Sequence, residues 1–315
     1  AGVKGGAAMP LLREQDPGSK GKGKVARAPA ILRPMLAVSR RQIEAYAKAN
    51  KLTWVEDESN ADTRRDRNFL RHKVLPVIGK VFPGYRVTLS RAAGHLAEAD
   101  EVLSELARAD AQQIALGNKI AVTGLKRLGP TRAKNLLRWL LLQYGAALPE
   151  ADRLEEALRQ LVHARDDAAV RVVLGTHELR RYAGEAYLLP LLADPPSGLE
   201  RKWDGKRACA LPELGGVLRF ARTGGAGLKQ GLIRNKDVFI RLRQGGEKLR
   251  LLPSGPTRSL KNLLQEARMP PWERERLPLV YCGDTLVAVP GLGAASGWQA
   301  GAGDVGWMIT WQRWE

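Results

Sequence analysis

The sequence is short of the residues that build covalent or metal frameworks. Only two cysteines are present, Cys209 and Cys282, 73 positions apart. That spacing offers neither a disulfide framework nor a metal-ligand motif and suits a reducing compartment, so a cytoplasmic protein is expected. The four histidines, His72, His95, His163 and His177, share no ligand spacing, and no metal site is read from them. No apolar run approaches the about 18 residues of a membrane-spanning helix. The longest candidate, 136–142, is interrupted by Arg138. No signal-peptide-like apolar stretch follows the first residues, which begin Ala-Gly-Val-Lys rather than Met. The Gly-rich stretch Gly18-Ser19-Lys20-Gly21-Lys22-Gly23-Lys24 lacks the Gly-Lys-Ser/Thr ending of a Walker loop and reads as a mobile basic loop tip. Acidic residues are also few beside basic ones.

What is present is charge and enough chain for several cores. The 315 residues carry 51 Lys and Arg against 33 Asp and Glu, a net charge of +18. The excess is segregated. Residues 1–80 hold 17 basic and 8 acidic residues, 81–200 hold 15 of each, and 201–315 hold 19 and 10. Two basic ends around a neutral middle point to a polyanionic partner, nucleic acid above all. Composition shifts and a Pro/Gly linker at Asp194-Pro195-Pro196-Ser197-Gly198 suggest three domains, over 1–80, 81–193 and 199–315.

Local patterns fill these in. Ser39 and Gln42 form a capping-box pattern that opens a helix over 39–52, with Ile43, Tyr46 and Ala47 on one face. A turn follows at 56–60, then a helix over 63–78 that Pro76 should kink or end. Residues 84–118 read as one long helix or two. Pro130 sits where another begins, and Leu154, Leu158, Leu161 and Val162 mark a further one. Short strands are expected at 169–174, 178–182 and 186–189, then at 217–220, 238–242, 279–282, 285–289 and 307–311. A helix over 258–268 interrupts the second set. The middle is thus mainly helical with a small β end, and the last part is α+β with a mostly antiparallel sheet.

Two constellations could carry chemistry. Asp57-Glu58-Ser59-Asn60-Ala61-Asp62 precedes Arg67-Asn68-Phe69-Leu70-Arg71. Arg67 and Arg71, four apart on a helix, share a side and could grip phosphate. The carboxylates before them could hold an ammonium or a hydrated Mg²⁺. The alternative is an acidic turn and a helix start with solvent-exposed arginines. The second constellation is Arg241-Leu242-Arg243-Gln244-Gly245-Gly246-Glu247, with Lys248 and Arg250 after it. Alternation puts Arg241 and Arg243 on one face, and the Gly pair could expose N–H groups to an anion. Lys261 could join that patch, and Trp272-Glu273-Arg274 lies just beyond. The alternative is a basic hairpin with Trp272 in the core. Trp307, Trp311 and Trp314 read as core rather than a base-stacking platform.

These segments together resemble the tRNA(Ile)-lysidine synthase family. Residues 1–10 resemble the segment after that family's second nucleotide-site motif, and Arg33-Pro34-Met35-Leu36 resembles its Arg-Pro-Leu-Leu. Trp54-Val55-Glu56-Asp57-Glu58-Ser59-Asn60 and Arg67-Asn68-Phe69-Leu70-Arg71 resemble its Asp-x-Ser-Asn and Arg-Asn-x-x-Arg motifs. Arg243–Glu247, Ser259-Leu260-Lys261-Asn262 and Pro270–Arg274 resemble its last domain. The resemblance implies a multidomain α/β plus α+β chain. Its parts would be a remnant of an adenine-nucleotide α-hydrolase-like (PP-loop) domain, a mainly helical middle domain and a small α+β C-terminal domain.

The resemblance also implies a carbon–nitrogen ligase. ATP adenylylates the C2 oxygen of the wobble cytidine of isoleucine tRNA, and the ε-amine of L-lysine then displaces AMP. ATP and Mg²⁺ are the implied cofactors, isoleucine tRNA and L-lysine the partners, and a homodimer is admitted. Arg67, Arg71, Asp57, Asn60 and Asn68 would belong to the catalytic mouth. Arg241, Arg243, Gly245, Gly246, Lys248, Arg250, Lys261 and Arg274 would hold tRNA. The family's Ser-Gly-Gly-x-Asp-Ser loop is not among these 315 residues. The expectation is therefore a chain lacking the N-terminal nucleotide-loop portion, with no ATP-binding residue of its own and inactive alone. A non-catalytic RNA-binding protein is the rival reading. A cytidine thiolase fits less well, because it needs cysteine pairs.

Overall fold

In the computed structural model the helix Arg40–Ala49 starts as its sequence predicts. The Ser39 hydroxyl accepts the Gln42 N–H at 3.3 Å, and the Gln42 side-chain oxygen accepts the Ser39 N–H at 2.8 Å. Two amides that the helix itself cannot satisfy are thereby paired. The structure describes residues 2–7, 9–13, 30–55, 57–165, 168–191 and 193–314. The Gly-rich stretch 18–24 lies outside the described residues.

The helix expected over 63–78 starts later and runs further. Asp66–Phe69 and Leu75–Val81 are α-helical, and Leu70–Val74 between them widens to a π-turn. Pro76 explains the widening. It has no N–H to give the carbonyl four residues back, and its ring would crowd that carbonyl. The wide turn relieves the mismatch and leaves Pro76 in the first turn of the following segment, where no N–H is needed. Pro76 therefore neither ends the helix nor stops it short.

Residues 1–189 form one compact unit and 190–315 a second. In the first unit Tyr85–Ile114 is a single 30-residue helix. Val122–Gln143 follows, broken at Gly129, whose φ of 74° is closed to most side chains. Pro130 then opens the second half, as expected. With Ala151–His163 these helices cover a five-stranded sheet in the order Ala115–Leu116, Lys119–Ala121, Glu185–Pro190, His177–Tyr182, Arg171–Leu174. Ala183 and Gly184, both at positive φ (49° and 81°), close the hairpin between the third and fourth of these strands. Leu125, Leu136, Leu137, Leu141, Leu161 and Leu179 fill the core. That core lies wholly beyond residue 106. Before it, Asn68 is the one described residue that is buried. Large apolar side chains such as Trp54, Val55, Phe82 and Val87 stay exposed there.

The second unit has more strands than expected. One sheet orders Leu228–Lys229, Val305–Arg313, Gly216–Gly224 and Ala208–Leu211; the other orders Gly293–Ala294, Thr285–Val289, Leu279–Cys282, Val238–Arg241 and Glu200–Lys202. Every residue of Gly216–Gly224 faces one of Val305–Arg313 in antiparallel register. Leu218, Phe220, Ile240, Val280, Val287 and Ile309 pack together as one core cluster. A two-stranded ribbon, Lys248–Leu249 with Arg258–Ser259, leads into the helix Leu260–Glu266, shorter than the expected 258–268. No helix among the described residues is long and apolar enough to cross a membrane.

One ion pair ties the two long helices of the first unit. The Asp110 carboxylate is fully buried, while its partner Arg132 is 48% exposed. Removing the arginine strands a buried charge, which costs about 3–5 kcal/mol, whereas removing the aspartate leaves a cation that water can reach. Arg132→Ala is therefore expected to lower the urea midpoint of this unit more than Asp110→Ala. The comparison of the two denaturation curves checks it, and an equal or reversed order would contradict it.

Candidate functional site

The first constellation is organised around Asn68. Its side-chain amide donates to the backbone oxygens of Ser59 at 2.9 Å and Asp62 at 3.0 Å. Both ends of the turn 59–62 are thus fastened to the helix that starts at Asp66. His72, one turn on, adds a third fastening through Nε2 to the Asn60 oxygen at 3.0 Å. A carbonyl only accepts, so Nε2 carries the proton in this arrangement.

Asp57 caps the turn by accepting the Ser59 N–H at 2.9 Å, and these hydrogen bonds hold its carboxyl below the usual range. Asp62 is engaged by Arg64 through paired bonds of 2.9 and 3.0 Å, which lower it likewise. Among the described residues no three metal-ligating side chains converge. With Asp57 and Asp62 already bonded, no magnesium ligand is assigned here.

Arg67 and Arg71 stand apart from this fastening. Both are exposed, and neither side chain has a partner among the described residues. Arg71 lies inside the π-turn, a feature frequent at functional sites. Expected as part of the mouth, Asn68 instead faces inward as a positioning residue. Asn in the first turn of a helix, where its amide can bond nearby backbone groups, is itself a signal of such a role.

In the second constellation the structure separates cations that the sequence groups. Arg241 is not free. Its guanidinium bonds Glu200 at 2.6 Å, Asp284 at 3.2 Å and the Gly283 oxygen at 3.1 Å, and lies within 5.2 Å of the Phe239 and Tyr281 ring centres. Arg274 is buried and donates Nε to the Met269 oxygen at 2.6 Å, so it offers no surface to a ligand. Trp272 is buried beside it, as the core reading expected.

The Gly turn also differs from its expectation. Gly245 and Gly246 are needed for their φ of 100° and 82°, and open space surrounds the place of a Cβ at both. Glu247 already fills the turn, accepting the N–H groups of Gln244 at 2.5 Å and Gly245 at 2.8 Å, with Arg243 at 3.3 Å. Burial raises the Glu247 carboxyl, but these backbone N–H groups and the Arg243 charge outweigh it and hold it below its usual range.

Lys248, Arg250 and Lys261 remain exposed without side-chain partners among the described residues. Register puts Lys248 opposite Ser259, two positions before Lys261. These three are the cations of this constellation that the described residues leave unpaired.

Three family models match in chain order: a PP-loop domain at residues 3–78, the TilS substrate binding domain at 121–187 and the TilS substrate C-terminal domain at 238–311. The first match gives no support to the expectation of a missing nucleotide-loop portion. The chain is 41% identical over 311 residues to the tRNA(Ile)-lysidine synthase of Nitrosomonas europaea, covering 99% of this chain and 66% of that protein. It is 36% identical to the protein of the same name from Coxiella burnetii, again over 99% of this chain and 67% of that one. It is 39% identical to the one from Aromatoleum aromaticum, over 99% and 70%. The chain thus spans about two thirds of the length of these relatives.

Two outcomes follow from the fastened turns. Asn68→Ala removes two hydrogen bonds to carbonyls that water can partly reach, at a cost of about 0.5–1.5 kcal/mol each. Faster amide hydrogen exchange across residues 59–64, with the core helices unchanged, is expected. Unchanged exchange there would remove Asn68 from the positioning role. For Glu247, the folded carboxyl titrates below the unfolded one. Its contribution is complete above the unfolded pKa and is lost as pH falls through the folded one. Wild type should therefore lose more stability on acidification than Glu247→Gln. Parallel melting-temperature profiles from neutral to acid pH would contradict this.

Proposed function

The chain belongs to the tRNA(Ile)-lysidine synthase family, and we propose that it serves that family's ligation of lysine to the wobble cytidine of isoleucine tRNA. The observation that carries the reading is the match to enzymes of that name along nearly the whole chain, with three domain models in order. In this reaction the C2 oxygen of cytidine attacks the α-phosphorus of ATP and diphosphate leaves. The ε-amine of lysine, having shed its proton, then bonds to C2, and the C2–O bond breaks to release AMP.

The residues of this chain suit three demands of that chemistry. Negative charge moves through the phosphate groups in both steps, and exposed unpaired guanidiniums are the side chains best matched to it. Arg67 and Arg71 take that part, at the mouth or in gating lysine. The turn held by Asn68 and His72 keeps Asp57 and Asn60 in a fixed shape beside them. Lys248, Arg250 and Lys261 grip tRNA backbone, for which we assign the acceptor stem, with Arg243 at the edge of that patch. Arg241, Gly245, Gly246 and Arg274 instead build the scaffold. ATP and Mg²⁺ supply the activation when bound, and no residue of this chain is assigned to either.

Two measurements separate these roles. Lys248→Ala and Lys261→Ala should each weaken isoleucine tRNA binding and reduce the slope of log K against log salt by up to about 0.9. Arg241→Ala should lower thermal stability instead. An unchanged salt slope in both lysine variants would sink the patch. In the full-length protein, Arg71→Ala should lower lysine incorporation several-fold while tRNA affinity is largely kept. Equal loss of both would contradict a place at the mouth.

A further inference from the structure

The second unit holds a cavity of about 260 Å³ apart from the lysine patch. It lies among the strand Val238–Arg241, the short helix Gln230–Ile233 and the loop after Glu200–Lys202. One wall is aromatic. Trp203 stacks on Phe220 with ring centres 4.3 Å apart and planes 16° apart, and Trp307 meets Trp203 edge-on at 5.8 Å. Trp203 and Trp307 both line the cavity. The Trp203 indole N–H already donates to the Lys206 oxygen at 2.8 Å, so a ligand on this wall need not supply an acceptor.

The rim is cationic. Arg234 is exposed, and its side chain has no partner among the described residues. Lys236, also exposed, lies 5.2 Å from the Trp298 ring centre, and Arg222 lies 5.6 Å from that of Trp307. Asn235 between the first two adopts a φ of 61°, a left-handed turn that Asn tolerates. The neighbouring acids are engaged, Asp204 with Lys206 and Asp237 with Lys202. The uncompensated charge at the cavity is positive.

An aromatic wall with a cationic rim matches a nucleotide: a flat π-surface joined to a phosphate. A base inside a duplex has both faces stacked and its pairing edge used, so only an unpaired one can enter. The volume falls below the about 300–1,000 Å³ of drug-sized sites, which suits one nucleotide. We propose that this cavity takes a single unpaired nucleotide of an RNA, its base against Trp203 and Trp307 and its phosphate on Arg234 and Lys236. The inference rests on the reading of the chain as a tRNA-binding protein and adds a base contact to the backbone grip of Lys248 and Lys261.

The test titrates cytidine 5′-monophosphate into the full chain and follows the tryptophan indole N–H signals by NMR. A saturable shift of the Trp203 signal is expected, with ribose 5-phosphate about tenfold or more weaker because it has no base to stack. Arg234→Ala with Lys236→Ala should weaken the nucleotide several-fold while leaving Trp203 stacked on Phe220; in the free protein the Trp298 signal, which loses its Lys236 cation, is the one expected to shift. Trp203→Leu should abolish the preference for nucleotide over ribose 5-phosphate; should it fail to fold, the double variant decides. A Trp203 signal that stays still at millimolar nucleotide overturns the proposal. So does an equal response to ribose 5-phosphate, which would mark an anion site alone. Either result with tRNA binding intact removes the cavity and leaves the family reading standing. Loss of tRNA binding by the unaltered chain would remove the reading on which the cavity rests.

Discussion

A backbone amide or carbonyl drawn out of water must find a partner or cost about as much as a lost hydrogen bond. Both candidate sites are shaped by how one side chain meets that demand for a loop. In the first unit Asn68 donates to Ser59 and Asp62. In the second Glu247 accepts from Gln244 and Gly245. Donor and acceptor are exchanged, but the effect is the same: an irregular segment gains a fixed shape from the hydrogen bonds of one side chain. For the turn 57–62 the hold comes from hydrogen bonds alone, those of Asn68, His72 and the Asp57 cap, because the buried leucines of that unit all lie beyond residue 106.

This constraint decides which charges are left for a ligand. A net charge of +18 says only that cations are in excess. Arg241 is held by Glu200 and Asp284, Arg132 by Asp110, Arg201 by Glu213 and Arg258 by Glu266. Apart from the pair of the buried Asp110, these carboxylates are exposed, and such pairs add typically about 0–1 kcal/mol, so their main effect is to fix geometry. Exposed cations without such partners are free to meet phosphate, among them Arg67 and Arg71 in one unit and Lys248, Arg250, Lys261 and Arg234 in the other. Rigid scaffold cations and free surface cations are thus different residues, even where they are neighbours in sequence.

That division marks how far the sequence was legible. Signals that act within a few residues were readable. The capping box at Ser39 and Gln42, the helix start at Pro130 and the strands at 279–282 and 285–289 all follow from local chemistry. Signals that act across the chain were not. Arg241 finds its carboxylates 41 and 43 positions away, and nothing near it announces them. Arg274 carries the same formal charge whether it faces water or a buried carbonyl. Glu247 closes on amides two and three residues back, within local reach, yet the Gly pair suggested an open anion nest. Its own acid, part of the same motif, was the missing clue. The π-turn at Leu70–Val74 is a compromise between Pro76 and a helix that continues, which a simple break signal does not describe.

The strand pair Gly216–Gly224 with Val305–Arg313 shows how a long ladder fixes the rings at the proposed nucleotide cavity, Trp307 directly and Trp203 through Phe220. Its register sets Arg222 opposite Trp307, and that cross-strand pairing places a guanidinium over an indole. Phe220, two residues earlier on the same strand, carries Trp203. The aromatic wall of the cavity is therefore fixed by the longest ladder in the unit, whereas Arg234 and Lys236 sit on a turn closed by one left-handed Asn. A flat ligand surface is best met by a rigid partner, since ordering large side chains on binding costs affinity. A phosphate tolerates adjustment, because charge acts over a longer range than contact. The division of labour between a ladder that holds rings and a turn that holds cations follows from those two requirements.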